Sequence, residues 1–219
     1  MSSIYHRARN AWLYLALAVL ALGLAACGTQ PASADSPAAY IGTPLSRVAP
    51  AFQLHDQTGA LVSLADYRGK VVVLTFLDDQ CQDICPLTAA QLRSAYQSLG
   101  SEAAQVVLIG INVNEKANQT SDVMAASKEW RLDGVPSWHF LTGQAGELEP
   151  VWRAYGIAVV PQDQGELLHT VGIYIIDQAG RERWYISNPD AGTATPQWTV
   201  PVSELVARHV RELVSETGS

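Results

Sequence analysis

Cys81 and Cys85, with Gln82-Asp83-Ile84 between them and Pro86 after them, follow directly on the apolar run Val71 to Leu77. Far along the chain, His169 opens a second apolar run, His169-Thr170-Val171-Gly172-Ile173-Tyr174-Ile175-Ile176. Two thiols and one imidazole are the donor set that soft copper prefers, and the dithiol alone can cycle through a disulfide. If the turn between the cysteines is helical, their Cα atoms stand about 6 Å apart, inside the roughly 4.4–6.8 Å window of a disulfide. The same spacing lets two thiolates meet one metal ion at about 2.3 Å each. A helix N-terminus here promotes thiolate, whereas Asp78, Asp79 and Asp83 oppose it. The pair reads either as a structural bridge or as chemistry. Closing so small a loop contributes near the bottom of the usual range of about 2–4 kcal/mol, which favours chemistry.

The elements that must position these residues are legible in outline. Ala51 to Leu54 and Leu61 to Leu64 flank Asp56-Gln57-Thr58-Gly59, a hairpin signal with Gly where φ > 0 is wanted. Val71 to Leu77 is continuous enough for a buried central strand. Pro86 suits a first helical turn, and Leu87, Leu92, Tyr96 and Leu99 recur at roughly helical spacing until Gly100. Gln105 to Ile111 is strand-like, Ser121 to Arg131 helical, Trp138 to Leu141 a short strand, and Glu147 to Tyr155 a short helix ended by Gly156. His169 to Ile176 and Arg181 to Ile186 form a second hairpin, and Ser203 to Val214 an amphipathic helix with Leu205, Val206, Val210 and Leu213 inward. This order predicts an α/β, thioredoxin-like three-layer fold, with a mixed central sheet flanked by helices and an N-terminal β-hairpin. The cysteines then stand at the end of a strand and the start of a helix, where open sheets bind ligands.

The chain's ends and totals bound where the domain works. His6, Arg7 and Arg9 precede the uncharged apolar stretch Ala11 to Leu22, and Leu24-Ala25-Ala26-Cys27 sets small residues before a cysteine. Residues 1–26 read as a lipoprotein signal peptide, and Cys27 as the lipidated new N-terminus of a bacterial lipobox. An uncleaved anchor or a simple secreted form are the alternatives, but the stretch is short for a span of about 20 residues. Residues 27–39 form a flexible tether, rich in Ala, Ser and Pro, that cannot bury a core; residues 40–219 are one domain. Removing Arg7 and Arg9 takes the formal charge from −7 to −9, and an acidic domain without a basic patch excludes nucleic acid as a partner.

In these residues the chain resembles the Sco (SenC) family of copper chaperones. The resemblance rests on Cys81-Gln82-Asp83-Ile84-Cys85-Pro86 after Gly69-Lys70-Val71-Val72-Val73-Leu74-Thr75-Phe76, and runs from about Pro50 to Pro189. It includes Phe52-Gln53-Leu54 with Gly59, Leu141-Thr142-Gly143, Val151 to Gly156, and His169 ahead of Tyr174-Ile175-Ile176-Asp177. It implies a thioredoxin fold and copper, as Cu(I) and also Cu(II), bound by Cys81, Cys85 and His169. It also implies delivery to the binuclear copper centre of cytochrome c oxidase subunit II or a related copper-receiving protein, and supply by a periplasmic copper donor or thiol reductant. The lipid anchor implies an extracytoplasmic place on a bacterial membrane. Two positions depart from the family pattern: Asn114-Glu115-Lys116 stands where Asp-Pro-Glu is common, and Leu168 where Asp often precedes the histidine. A partner that orients His169 or tunes copper affinity would be lost with them.

A second function competes, a thiol–disulfide oxidoreductase that needs only Cys81 and Cys85 as catalytic pair. A peroxidase of the peroxiredoxin kind would call for a Thr and Arg support set around Cys81 that the sequence does not display. The other histidines read as bystanders: His55 in a turn, His139 in a strand, and His209 on the polar side of the last helix. Trp130, Trp138, Trp152, Tyr155 and Tyr174 read as core aromatics. Asp78 and Asp79 read as a solvated loop, or as groups that shape docking.

Overall fold

A computed structural model describes residues 42–162, 167–187 and 200–216. The export segment, the tether and Cys27 lie outside the described residues. Among those described, no helix is long and apolar enough to cross a membrane.

Alternation of apolar side chains along two parallel strands builds the centre. In β4 (Val71–Leu77), Val71, Val73 and Leu77 enter one core while Val72, Leu74 and Phe76 enter the other. β5 (Val106–Asn112) does the same, with Val106 and Leu108 on the first side and Val107, Ile109 and Ile111 on the second. Both strands are buried on both faces, which is why they read as unbroken apolar runs. The six-stranded sheet has the order β1 (Thr43–Pro44), β10 (Glu182–Ser187), β9 (Gly172–Ile176), β4, β5, β6 (Trp138–Leu141). β4, β5 and β6 are parallel, and β9, β10 and β1 add antiparallel neighbours beyond β4. The first core takes in α1 (Ile84–Ser98), α2 (Thr120–Glu129) and α4 (Val202–Glu216). The second takes in α3 (Ala145–Ala154) and the hairpin of β2 (Gln53–His55) and β3 (Leu61–Ser63). This is the expected mixed α/β sheet between helical layers. The hairpin turn carries Gly59 at φ 84°, the conformation that its sequence demanded.

Gly110 is required by packing rather than by its backbone. A Cβ there would stand 2.7 Å from the Trp138 ring, so glycine lets that indole lie against β5. Trp138 Nε1 donates to Ser127 Oγ at 3.0 Å and ties β6 to α2.

Three expectations need correcting. His169 to Ile176 is not one strand: β8 (Leu167–His169) pairs with β7 (Val159–Pro161) in a separate two-stranded sheet, and the central β9 starts at Gly172. The chain breaks at Thr170, whose N–H turns back to Ala158 O at 3.0 Å while its Oγ1 accepts from Ala158 N at 3.1 Å. His209 is on no polar face; it is 3% exposed, stacked 3.9 Å from the Trp184 ring, with Nδ1 3.2 Å from Glu212 Oε2. His55 closes β2 instead of lying in the turn. The five core aromatics are buried as expected.

Candidate metal and dithiol centre

β4 ends at Leu77, and the chain must cross to α1 over the C-terminal edge of the parallel strands. Asp78 shapes that crossing. Its Oδ1 accepts from the Gln80 N–H at 2.9 Å, and its carbonyl accepts from the Cys81 N–H at 3.1 Å. The Asn114 amide donates to the same carboxylate oxygen at 2.9 Å, linking the loop to the segment after β5. Asn114 is itself held by Asn112, whose Oδ1 accepts from the Asn114 N–H at 3.0 Å. Asp78 and Asp79 are therefore buried, against the expectation of a solvated loop. Among the described residues, Asp79 Oδ1 has no hydrogen-bond partner; burial first, with the nearby Asp78 and Asp122 charges, pushes its pKa up to about 7.

The turn between the cysteines is not helical. α1 begins at Ile84, so Cys85 sits in its first turn and Cys81 precedes it. Asp83 caps the helix, its Oδ1 accepting from the Ile84 N–H at 2.6 Å. Cys81 is nonetheless held against this first turn, because the Cys85 N–H donates to Cys81 Sγ at 3.3 Å. Both thiols are free.

The two thiols differ sharply. Cys81 is half-buried, and its pKa is lowered chiefly by a hydrogen bond from the Cys85 thiol, with burial and Asp83 acting the other way. Cys85 is 1% exposed; the same hydrogen bond and then burial hold its proton far above the ordinary thiol range. Asp83 accepts from the Cys81 thiol at 3.0 Å, which lowers its own pKa. One sulfur is thus accessible and readily ionised, and the other is a buried proton donor behind it.

His169 reaches this pair from β8. Its Nε2 stands 3.8 Å from Cys85 Sγ, and its Nδ1 lies 3.1 Å from the Thr170 carbonyl. A carbonyl can only accept, so Nδ1 carries the proton and Nε2 turns its lone pair toward the sulfur. Burial first lowers the imidazole pKa, which favours the neutral form that metal binding needs. An ion about 2.3 Å from sulfur and about 2.0 Å from nitrogen would span that gap at an angle near 120°, the geometry of three-fold coordination. Among the described residues, no three His, Cys, Asp or Glu side chains are already drawn in around one point. Cys81, engaged with Asp83, would have to turn inward to complete such a set.

The SCO1/SenC profile matches residues 42–195, which holds the cysteine loop and His169 together. This chain belongs to the SCO1/SenC family. The SCO1 protein homologue of Bacillus subtilis is 26% identical over 170 residues, covering 76% of this chain and 83% of that one. A SCO1/SenC family lipoprotein from Bacillus anthracis superposes with a TM-score of 0.66 at 22% identity, over 78% of this chain and 97% of its own. Arabidopsis thaliana ScoI, solved with copper bound, superposes with a TM-score of 0.64 at 21% identity, over 77% and 99%. These likenesses establish the thioredoxin-like fold.

Sequence reasoning missed two parts of this SCO1/SenC site. The Thr170 carbonyl, which orients His169, takes the place expected of an acidic neighbour, while Leu168 is 63% exposed. No side-chain signal could have revealed a backbone acceptor. The departure at Asn114 was visible, but its bond to Asp78 was not.

Proposed function

We propose that this chain is a membrane-tethered, extracytoplasmic copper chaperone that delivers copper to the binuclear copper centre of cytochrome c oxidase subunit II. Copper(I), the cargo, would be held by Cys81, Cys85 and His169. It would leave by ligand exchange with the receiving protein's thiolates, because soft donors favour the cuprous ion. The observation that carries this reading is the His169 imidazole, protonated at Nδ1 and offering Nε2 3.8 Å from Cys85 Sγ. Residues 1–26 act as a lipoprotein signal, and lipidated Cys27 with the tether to residue 39 holds the domain of residues 40–219 at the membrane. The test is an anaerobic copper(I) titration of the reduced protein beside His169→Ala. One equivalent bound in a His169-dependent way is the expected result; binding indifferent to His169, Cys81 and Cys85 would end the proposal.

A second reading is favoured by the asymmetry of the thiols. As a thiol–disulfide oxidoreductase, the Cys81 thiolate would attack a target disulfide and release one target thiolate. Cys85 would then give up its proton and attack the mixed disulfide. This frees the second target thiol and leaves Cys81–Cys85 oxidised until a periplasmic thiol reductant restores it. Removal of His169 would leave this activity nearly intact, which separates the two readings.

A further inference from the structure

Among the described residues, β7 and β8 pair only with each other. The Thr170 N–H bond to Ala158 O phases their ladder. Leu168 and Val160 form the hydrogen-bonded pair, while His169 opposite Val159 and Leu167 opposite Pro161 do not. The N–H and C=O groups of Leu167 and His169 therefore point away from β7. Among the described residues, none of these four groups has a hydrogen-bond partner. The outer edge of β7 is different, because Pro161 has no N–H to offer and blunts it. Among the described residues, one side of this hairpin is thus an open template, and His169 is part of it.

The surroundings narrow what could add there. Val160 and Leu168, cross-strand partners on the outer face, are 48% and 63% exposed, and Leu87 in the first turn of α1 is 42% exposed. These are three of the large apolar side chains that the described surface leaves open, and all are borne by segments flanking the dithiol. No Lys or Arg occurs in Asp78 to Pro86, in β7 or in β8, and exposed Asp83 stands at the Cys81 thiol. A strand added beside β8 would run about 4.8 Å from His169, whose ring already touches Cys85.

We propose that the outer edge of β8 receives an extended, cysteine-bearing segment of the partner protein as an additional strand, with a Lys or Arg beside its cysteine to meet Asp83. The inference deepens the function proposed above, since thiol exchange with a partner presupposes a way of holding that partner's thiol at Cys81. Backbone pairing would supply registration without demanding a particular side-chain sequence, and a three-residue edge would release its occupant readily.

The test uses the full-length, metal-free protein carrying Cys27→Ser and Cys85→Ser, so that Cys81 is its one thiol, and the peptide Thr-Val-Lys-Cys-Lys-Val-Thr, its cysteine activated as a disulfide with thionitrobenzoate. The Cys81 thiolate attacks the peptide sulfur, a new Cys81–peptide disulfide forms, and thionitrobenzoate leaves with the electron pair of the broken bond. Single N-methylations along the peptide should slow this step with a period of two: about tenfold where an inward N–H is lost, less than about twofold at the alternate positions. Reaction with Ellman's reagent, which has no backbone, gives the intrinsic reactivity of Cys81. In the trapped disulfide, the amides of Leu167 and His169 should gain protection from hydrogen exchange. Methylation effects that are absent or without alternation, or protection that spares Leu167 and His169, would overturn the proposal. No copper is involved, so failure here leaves the copper titration standing, and failure there leaves this edge standing.

Discussion

His169 and His139 are both partly buried strand residues, and each engages its Nδ1 within the fold. Their surroundings give them different work. His139 faces the Asp56 carboxylate at 2.9 Å and lies beside the Tyr67 ring, with centroids 5.5 Å apart. Asp56 also accepts from the Thr58 N–H, the Thr58 hydroxyl and the Ala60 N–H, so His139 belongs to the brace that closes the β2–β3 hairpin. His169 bonds a neutral carbonyl instead and has a buried thiol opposite its second nitrogen. A histidine's role here is decided by what its free nitrogen meets, a lesson that neither residue's local sequence contains.

The strongest way to break this contrast is to remove a thiol. Cys81→Ser or Cys85→Ser should weaken copper(I) binding by at least about a hundredfold, read by competition with a cuprous chelator, because a hydroxyl is a poor ligand for a soft ion. His169→Ala should cost about tenfold or more in the same titration, whereas His139→Ala should change it less than about twofold; equal effects would dissolve the distinction. In the metal-free protein, iodoacetamide should modify Cys81 at least about ten times faster than Cys85, its rate rising with pH through a midpoint below that of an ordinary thiol.

On the other side of the comparison, Asp56→Asn should destabilise the protein by about 1–3 kcal/mol without touching copper affinity, measured by thermal unfolding. Burial pushes the Asp56 carboxyl up, but the Thr58, His139 and Ala60 hydrogen bonds together outweigh it and hold its pKa low. A carboxylate lower in the folded than in the unfolded state stabilises above the unfolded value of about 3.9. That contribution disappears as the pH falls through the folded value. The Asn variant should therefore lose this part of the wild type's acid dependence. Gly110→Ala makes a purely structural probe of similar size, costing about 1–3 kcal/mol as Trp138 is forced from β5.

Periodicity and chemistry along the chain determined much of this protein. Unbroken apolar runs produced the two cores around β4 and β5, the Asp56 to Gly59 turn set the hairpin, and the two thiols with a late imidazole supplied the donor set proposed for copper. These are local signals, since strand period, turn residues and ligand type need no distant partner. What tertiary structure alone decided is where groups far apart in sequence meet. The break at Thr170 separated β8 from β9 and gave His169 its orienting carbonyl. The Asn114 amide buried Asp78, and the Trp184 ring drew His209 off the expected polar face. The thiols were also set apart only by folding, one open and ionisable, the other buried and protonated. Desolvation and hydrogen bonding depend on the neighbours that packing supplies, and two cysteines four residues apart look alike until those neighbours arrive.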